Sequence, residues 1–162
     1  MLMYVDLPFH SHRRLTHVDI CLVVVMTIYP TLQPSQVKQF KDAINVCEQV
    51  VQTAERTDNE HIELLALAVA AEETRFRHIR HKGSGAQGPM QVLPKYWCPK
   101  EGPCDYIEAG FKALDHYVTT SPSERRALER YAGAGKRARD YAERVLQRLK
   151  TYRALAAALD GC

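Results

Sequence analysis

The chain has 162 residues, of which 46% are hydrophobic and 25% are charged, and its formal net charge at neutral pH is +3. A chain of this length can bury a substantial core in one domain, and nothing in it requires a second. The small positive charge does not by itself indicate a polyanionic partner. Composition therefore describes an ordinary globular protein and names no function.

Residues 1–32 form an N-terminal segment to which the sequence assigns no single role. Arg13 and Arg14 precede an apolar run, ICLVVVMTIY, at residues 20–29. Ten residues are too few to span a bilayer, which needs about 20. Three interpretations stay open: a signal peptide without a small-residue cleavage site, a core-packing segment, or an extension upstream of an alternative start at Met26.

The five cysteines are an odd set, so at least one does not pair within the chain. Cys98 and Cys104 flank PKEGP, a turn-rich loop short enough for a disulfide in an oxidising compartment, whereas in a reducing one both would be thiols. His78 and His81 are three residues apart, but no further ligand follows at metal-like spacing. We therefore expect no metal site.

Apolar residues at helical spacing predict a helix over 33–55. The next predicted helix, over 60–76, is apolar on every side of its middle, which is typical of a helix at the centre of a domain. Residues 80–89 contain three glycines and a proline, so they are predicted to form turns.

The rest of the chain continues the helical pattern. MQVLPKYW, at 90–97, is predicted to be a short helix or an extended piece, and further helices are predicted over 105–120, 123–132 and 136–159. The last helix has one apolar face, formed by Ala138, Tyr141, Ala142, Val145, Leu149 and Tyr152. Only VDICLVVVMTIY, at 18–29, offers a strand alternative, so the predicted fold class is all-α.

Three motifs lie in order between about residues 60 and 150. The first is ETRF followed by GAQGPMQVLP, with Gln91 eighteen residues after Glu73; the second is YIEAGFKALDHYV; the third is RYAGAGKRARDY. In this order and spacing they resemble the motifs of lytic transglycosylases with a goose-type-lysozyme-like fold. The resemblance implies a lysozyme-like helical domain, to which we assign residues 33–162, and a bacteriophage origin is compatible with it.

This family cleaves the β-1,4 bond between MurNAc and GlcNAc in peptidoglycan and leaves a 1,6-anhydro-MurNAc end, without a cofactor. The resemblance implies that Glu73 is the catalytic residue and that Thr74, Met90, Gln91 and Tyr131 bind substrate. Gln91 would hydrogen-bond the N-acetyl group or a sugar hydroxyl. The hydroxyl of Tyr131 would point at the glutamate or the sugar.

The chain departs from the family pattern at three positions. Thr74 replaces a serine and keeps the hydroxyl beside the acid, Ala132 stands where the family has asparagine, and Pro89 replaces an apolar residue. These departures concern contacts to the substrate and the stiffness of the loop rather than the reaction.

The position of Glu73 also argues for an acid on physical grounds. A carboxyl can protonate a glycosidic oxygen near neutral pH only if its pKa is raised. Burial at the C-terminal end of an apolar helix raises that pKa, because desolvation and the helix dipole both disfavour the charged form. Phe76 could shield the site from water. The alternative is a solvated helix-end carboxylate; Glu72, about 100° around the helix, is interpreted as structural.

Most glycoside hydrolases use two carboxylates, whereas in this family one glutamate acts first as acid and then as base. No second acidic residue follows in the loop before Glu101, which suits the one-carboxylate scheme. If Glu101 or Asp105 folded back towards the site, a hydrolytic muramidase would result. A further alternative is a non-catalytic, envelope-binding virion component, for which Ala132 is the only indication.

Residues 124–153 carry ten basic and four acidic side chains. This excess is typical of a solvated helix face and would give at most a weak attraction to an anionic envelope. The expected partner is the glycan strand of peptidoglycan, with no nucleic acid, and the chain is expected to be a monomer. Its expected location is the bacterial periplasm, or a phage virion and the host cell envelope.

Overall fold

The computed structural model describes residues 17–161, and every regular element in them is a helix, which confirms the all-α prediction for this part of the chain. Short 3-10 turns precede the second and third helices. The α-helices are α1 His17–Met26, α2 Val37–Arg56, α3 Glu63–Thr74, α4 Pro94–Trp97, α5 Tyr106–Thr119, α6 Glu124–Ala132 and α7 Gly135–Asp160.

The apolar run near the N-terminus forms helix α1 rather than a strand, and it packs against α2 and α7. Cys21, Val24 and Val25 are completely buried in a core shared with the later helices. Of the three interpretations of this segment, α1 has the packing of a core segment, and residues on both sides of position 33 contribute to one core. Arg13 and Arg14 lie outside the described residues. Within residues 17–161, no helix is both long and apolar enough to cross a membrane.

Helix α3 is the central helix, as its uniformly apolar sequence predicts. Residues 65–71 are all buried, and α2, α5 and α7 pack around them. The helix ends because Arg75 and Phe76 adopt left-handed backbone conformations, with φ of 55° and 58°. Their N–H groups bond back to the carbonyls of Ala71 and Ala70. Two consecutive left-handed residues that are not glycine turn the chain sharply, directly after Glu73 and Thr74.

Helix α7 is the long C-terminal helix, which packs against α6 and α3. Its buried residues are the six predicted from the apolar spacing: Ala138, Tyr141, Ala142, Val145, Leu149 and Tyr152. The other side of the helix is exposed and carries the basic excess. One wall of any site at the end of α3 is therefore supplied by the first turns of α7.

The connecting loop between α3 and α4, residues 77–93, folds through turns as predicted. Two isolated bridges, Arg80 with Gln87 and Gln87 with Val92, tie it together. Gly88 has a positive φ of 79°, and a Cβ there would lie 2.5 Å from the Cβ of Tyr106, so only glycine fits. Residues 94–97 form the short helix α4, which settles the alternative between helix and extended chain.

Two disulfides join cysteines in the described residues. Cys98 and Cys104 are bonded, with Cα atoms 5.4 Å apart, and close the loop between α4 and α5. The second disulfide, Cys21–Cys47, was not anticipated; it joins α1 to α2 within the core. Cys162 lies outside the described residues.

Candidate active site

Glu73 lies in the last turn of α3, where its partly buried side chain lines a cleft of about 520 Å³. We call this cleft the Glu73 cleft. Its other lining residues come from the α6–α7 corner and from one stripe of α7: Ala132, Ala134, Arg137, Asp140, Tyr141 and Arg144. The glutamate therefore faces an open space large enough to admit part of a ligand.

Burial shifts the ionisation of Glu73. Desolvation is the main cause, and it raises the pKa from 4.5 to about 7. The nearby negative charge of Glu72 adds to this rise, whereas the Tyr141 hydroxyl and the positive charge of Arg144 lower the pKa. Glu73 is therefore about half protonated at neutral pH, which is the state required of a general acid that must also act as a base.

Tyr141 belongs to the site as well as to the core. It is only 8% exposed, it lines the Glu73 cleft, and its hydroxyl is buried without a hydrogen bond of good geometry in the described structure. The hydroxyl is nevertheless close enough to Glu73 to lower that pKa. Burial, followed by the charge of Glu73, raises the pKa of Tyr141 itself. The sequence placed Tyr141 in the third motif and on the core face of its helix, but not among the site residues.

Glu72 has the structural role expected of it. Its two carboxylate oxygens accept hydrogen bonds from the Nε atoms of Arg144 and Arg148, at 2.5 and 3.0 Å. The side chain of Glu72 is 13% exposed, so this double ion pair is partly shielded from water. Glu72 thus fastens α3 to α7 and leaves Glu73 free to face the cleft.

Thr74, which was predicted to bind substrate, lies beneath the cleft and does not line it. It is 2% exposed, and its hydroxyl lies 2.9 Å from the Pro89 carbonyl and accepts a hydrogen bond from the Arg77 N–H at 3.0 Å. The hydroxyl therefore holds Arg77 and Pro89 of the connecting loop against the end of α3. Phe76, expected to shield the site from water, is likewise fully buried and does not line the cleft.

Met90 is buried beside the site, and Tyr131, which is partly exposed, is hydrogen-bonded to its backbone. Met90 is completely buried, and its side chain rests on Gly110, where an added Cβ would overlap the methionine methyl group. The Tyr131 hydroxyl donates to the Met90 carbonyl at 2.6 Å, not to Glu73. Burial raises the pKa of Tyr131, and the charge of nearby Glu73 raises it further. Both residues hold the loop beside Glu73, and their contact with substrate stays a prediction.

Gln91 has a left-handed backbone, with φ of 52°, and turns its amide into the connecting loop. Its Nε2 donates to the carbonyls of Gly88 and Ile79, at 2.9 and 3.1 Å. Gln91 is not part of the Glu73 cleft. The Nε2 group of Gln91 thus holds the loop, and the hydrogen bond of Gln91 to an N-acetyl group or a sugar hydroxyl stays a prediction.

A second carboxylate lies in the Glu73 cleft, and it is neither Asp105 nor Glu101. Asp105 caps α5, accepting from the N–H groups of Ile107 and Glu108, and pairs with Arg56 at 3.2 Å. Neither Asp105 nor Glu101, the two residues considered as a second carboxylate, lines the Glu73 cleft. Asp140 does line it.

Asp140 was missed in the sequence because it lies on α7, far along the chain from Glu73. A hydrogen bond from Lys136, at 2.6 Å, is the main cause that lowers its pKa. Asp140 is therefore ionised at neutral pH, where Glu73 is partly protonated. Only the packing of α7 against α3 brings both carboxyls to one cleft, and residue spacing carries no signal of that packing.

No family model, curated protein sequence or solved structure matches the chain. The functional argument therefore depends on the residues and their geometry.

Proposed function

We propose that this protein is a peptidoglycan lytic transglycosylase with a lysozyme-like helical domain. The observation that carries the proposal is Glu73: a single glutamate at the end of a buried helix, open to a cleft, with its pKa raised to about 7. An acid in this state can donate a proton to a glycosidic oxygen near neutral pH and can recover a proton afterwards.

In the proposed reaction, protonated Glu73 donates its proton to the oxygen of the β-1,4 bond as that bond breaks. The N-acetyl group of the substrate stabilises the resulting sugar cation. Ionised Glu73 then removes the proton of the 6-hydroxyl, whose oxygen closes the 1,6-anhydro ring. The proton balance of Glu73 is restored in each cycle. Tyr141 acts on the ionised state, because its hydroxyl lowers the Glu73 pKa and so stabilises the carboxylate between the two steps.

The mutual contacts of the three motifs support the lysozyme-like part of the proposal. Thr74 of the first motif contacts the Pro89 carbonyl, Met90 rests on Gly110 of the second, and Tyr131 of the third donates to the Met90 carbonyl. Stretches that are far apart in the chain thus meet around one loop beside Glu73. Such an arrangement suits a set of motifs that work together on one substrate.

The disulfides favour an extracytoplasmic location. Disulfides form and persist in oxidising environments such as the periplasm or the cell surface. Cys98–Cys104 and Cys21–Cys47 fit such a compartment, which is also where peptidoglycan lies. A periplasmic protein and a phage protein that acts on the host envelope are both consistent with this.

A hydrolytic muramidase is the second candidate, and Asp140 is the observation that favours it. This ionised carboxylate shares the cleft with Glu73. In inverting glycosidases, such a second carboxylate activates a water while the protonated one acts as the acid. The two candidates differ in whether water or the 6-hydroxyl attacks the sugar cation.

The test is mass spectrometry of the glycan fragments released from purified peptidoglycan by wild type, Glu73→Gln and Asp140→Asn. Under the proposal, wild type and Asp140→Asn release fragments with 1,6-anhydro ends, and Glu73→Gln releases none. Reducing ends that disappear in Asp140→Asn would establish the muramidase instead. A folded wild type that binds peptidoglycan without releasing fragments would identify a non-catalytic binding component, in keeping with Ala132 in the cleft wall.

A further inference from the structure

Two cavities adjoin where α4 leads into α5, on a surface that the Glu73 cleft does not share. The larger, of about 450 Å³, lies between one face of α2 and the first turn of α5, and the smaller, of about 140 Å³, lies beside α4. Cys104 and Asp105 line both, and no residue of either lines the Glu73 cleft. We call the two cavities together the Trp97 groove, because Trp97 lines the smaller one. The larger cavity is within the size range of ligand sites.

The charged side chains of the Trp97 groove pair with one another. Arg56, on α2, contacts Asp105 at 3.2 Å and Glu108 at 3.3 Å. Lys112 contacts Glu108 at 3.0 Å. The lysine and arginine side chains of the groove thus equal its carboxylates in number, and each has a partner. A charged ligand therefore gains little from this surface.

Uncharged hydrogen-bonding groups remain free in the larger cavity. Gln49 and Gln52 lie one turn apart on α2, and both are exposed. Gln49 engages His78 through its Oε1 atom, at 2.9 Å, which leaves its Nε2 group free. The Gln52 amide and the Tyr106 hydroxyl make no hydrogen bond within residues 17–161. An amide offers two donors and an acceptor in one plane, which suits the hydroxyl and N-acetyl groups of a sugar.

Trp97 provides an aromatic surface at the other end of the groove. It is partly exposed and stands beside Pro99 and Pro103 in the smaller cavity. Its ring is held by an edge contact with Tyr117 and a tilted contact with His116, with ring centroids 5.8 and 5.4 Å apart. The C–H groups on the face of a pyranose ring pack well on an aromatic surface of this kind.

We propose that the Trp97 groove is a second binding site for the neutral glycan backbone of peptidoglycan. The choice of glycan rests on the proposed function, which brings such a strand to the Glu73 cleft. The hydroxyl and N-acetyl groups of the backbone match the free amides at one end of the groove, and its pyranose faces match Trp97 at the other. A strand held there raises the effective concentration of glycosidic bonds at Glu73 without any new contact in the cleft.

The first experiment measures binding through a signal of the groove itself. Trp97 is the only tryptophan of the chain, so its indole N–H gives a single NMR signal. A neutral tetramer of β-1,4-linked N-acetylglucosamine is titrated into Glu73→Gln, and we expect the indole signal to shift until the groove is saturated. In the same background, Gln49→Ala/Gln52→Ala should raise the half-saturating concentration at least about fivefold, the value of one net hydrogen bond.

A control pair distinguishes binding in the groove from an effect transmitted from the Glu73 cleft. Gln39→Ala/Asn45→Ala removes two exposed amides of the same helix that line neither site. In this pair the half-saturating concentration should stay at the value of Glu73→Gln. An indole signal that does not move at millimolar tetramer, or one that saturates at the same concentration in both pairs, would overturn the inference.

The second experiment tests the consequence for cleavage, with Glu73 intact. On whole sacculi one protein can hold glycan at both sites, whereas a short soluble strand fills one site at a time. Relative to the control pair, Gln49→Ala/Gln52→Ala should therefore raise KM more on sacculi than on short strands. Equal KM of the two pairs on sacculi would overturn the inference and leave the proposed function standing. A wild type that cleaves neither substrate, while the tetramer still shifts the indole signal, would overturn the proposed function alone.

Discussion

Two regions at the end of α3, the α3–α7 junction and the Glu73 cleft, give the adjacent carboxylates of Glu72 and Glu73 different surroundings. At the junction of α3 and α7, Glu72 is held by Arg144 and Arg148 in a double ion pair. In the cleft, Glu73 has no such ion pair, and burial raises its pKa to about 7. The two side chains are separated by one residue of helix rotation, about 100°. The charge of Glu72 is thus neutralised by two ion-pair partners, whereas Glu73 lies in the cleft without one.

The arginines that bind Glu72 lower the pKa of Glu73 only slightly. Glu72 engages the Nε of Arg144, so the effect of this arginine on Glu73 is the smallest of the causes that shift its pKa. Removing Glu72 would leave both arginines without their carboxylate partner. The ion pairs of Glu72 therefore help to keep the pKa of Glu73 raised, and they also hold α3 against α7.

The largest expected effect separates the two glutamates by activity. Glu73→Gln keeps the shape of the side chain but removes the ionisable group, so peptidoglycan cleavage should fall by about 10²- to 10⁴-fold, the usual contribution of a general acid. Glu72→Gln should lose far less activity, because its side chain faces α7 and acts on Glu73 only by helping to raise the pKa of that carboxyl. The rate of fragment release from purified peptidoglycan measures both. Equal loss in the two variants would contradict the division of roles.

The second prediction concerns the packing that supports the loop beside Glu73. In Gly110→Ala, the new Cβ would overlap the methyl group of Met90, which is fully enclosed. We expect the free energy of unfolding to fall by about 1–3 kcal/mol. In a double-mutant cycle measured by urea unfolding, Met90→Val should cancel part of this loss, since it shortens the side chain. If the two substitutions are additive, they do not act through this contact.

The third prediction uses pH to separate the same two glutamates by stability. The folded-state pKa of Glu73, about 7, lies above its ordinary value of 4.5. Relative to Glu73→Gln, wild type should therefore lose stability as pH rises from about 4.5 through 7, by about 3 kcal/mol in all, and then level off above pH 7. Glu72→Gln should instead lower stability by about 1 kcal/mol at neutral pH, because it breaks the ion pairs. Urea unfolding between pH 4 and 8 would reveal both, and a pH-independent difference between wild type and Glu73→Gln would count against a buried acid.

The smallest expected effect concerns Tyr141. Its hydroxyl lowers the pKa of Glu73, so Tyr141→Phe should raise that pKa. Because the acid works in its protonated form, the alkaline decline of kcat/KM should move to higher pH in this variant. Tyr152→Phe is a matched control, since Tyr152 is a buried tyrosine of the same helix that does not line the cleft. A shift to lower pH in Tyr141→Phe would contradict the assigned direction.

Much of the fold could be predicted from the sequence because the buried residues recur at helical spacing. The six buried residues of α7 are the six that its spacing predicts, and the uniformly apolar middle of α3 predicts the central helix. Periodicity is weakest where a short run is apolar throughout, as in α1, and there the strand alternative could be removed only by the packing against α2 and α7. The Cys21–Cys47 disulfide was missed because it depends on how α1 packs against α2, which residue spacing does not predict.

The position of Glu73 at the end of the central helix was predictable, but the residues that surround it were not. Glu73 follows from the end of an apolar helix and from the motif, whereas a motif does not distinguish a residue that contacts ligand from one that supports the loop. Thr74 and Met90 proved to be buried supports. Arg137 and Asp140 reach the cleft only because α7 packs against α3 and α6. Neighbours of this kind are set by tertiary packing, which residue spacing does not encode.

The most direct test of the account is an NMR titration of the glutamate side-chain carboxyl carbons, with the Glu73 signal assigned by its absence in Glu73→Gln. The account predicts a midpoint near pH 7 for this one carboxyl, because burial disfavours its charged form. The same midpoint should govern the alkaline decline of kcat/KM. A Glu73 carboxyl that titrates near its ordinary value of 4.5 would contradict the central claim that this residue is a buried general acid.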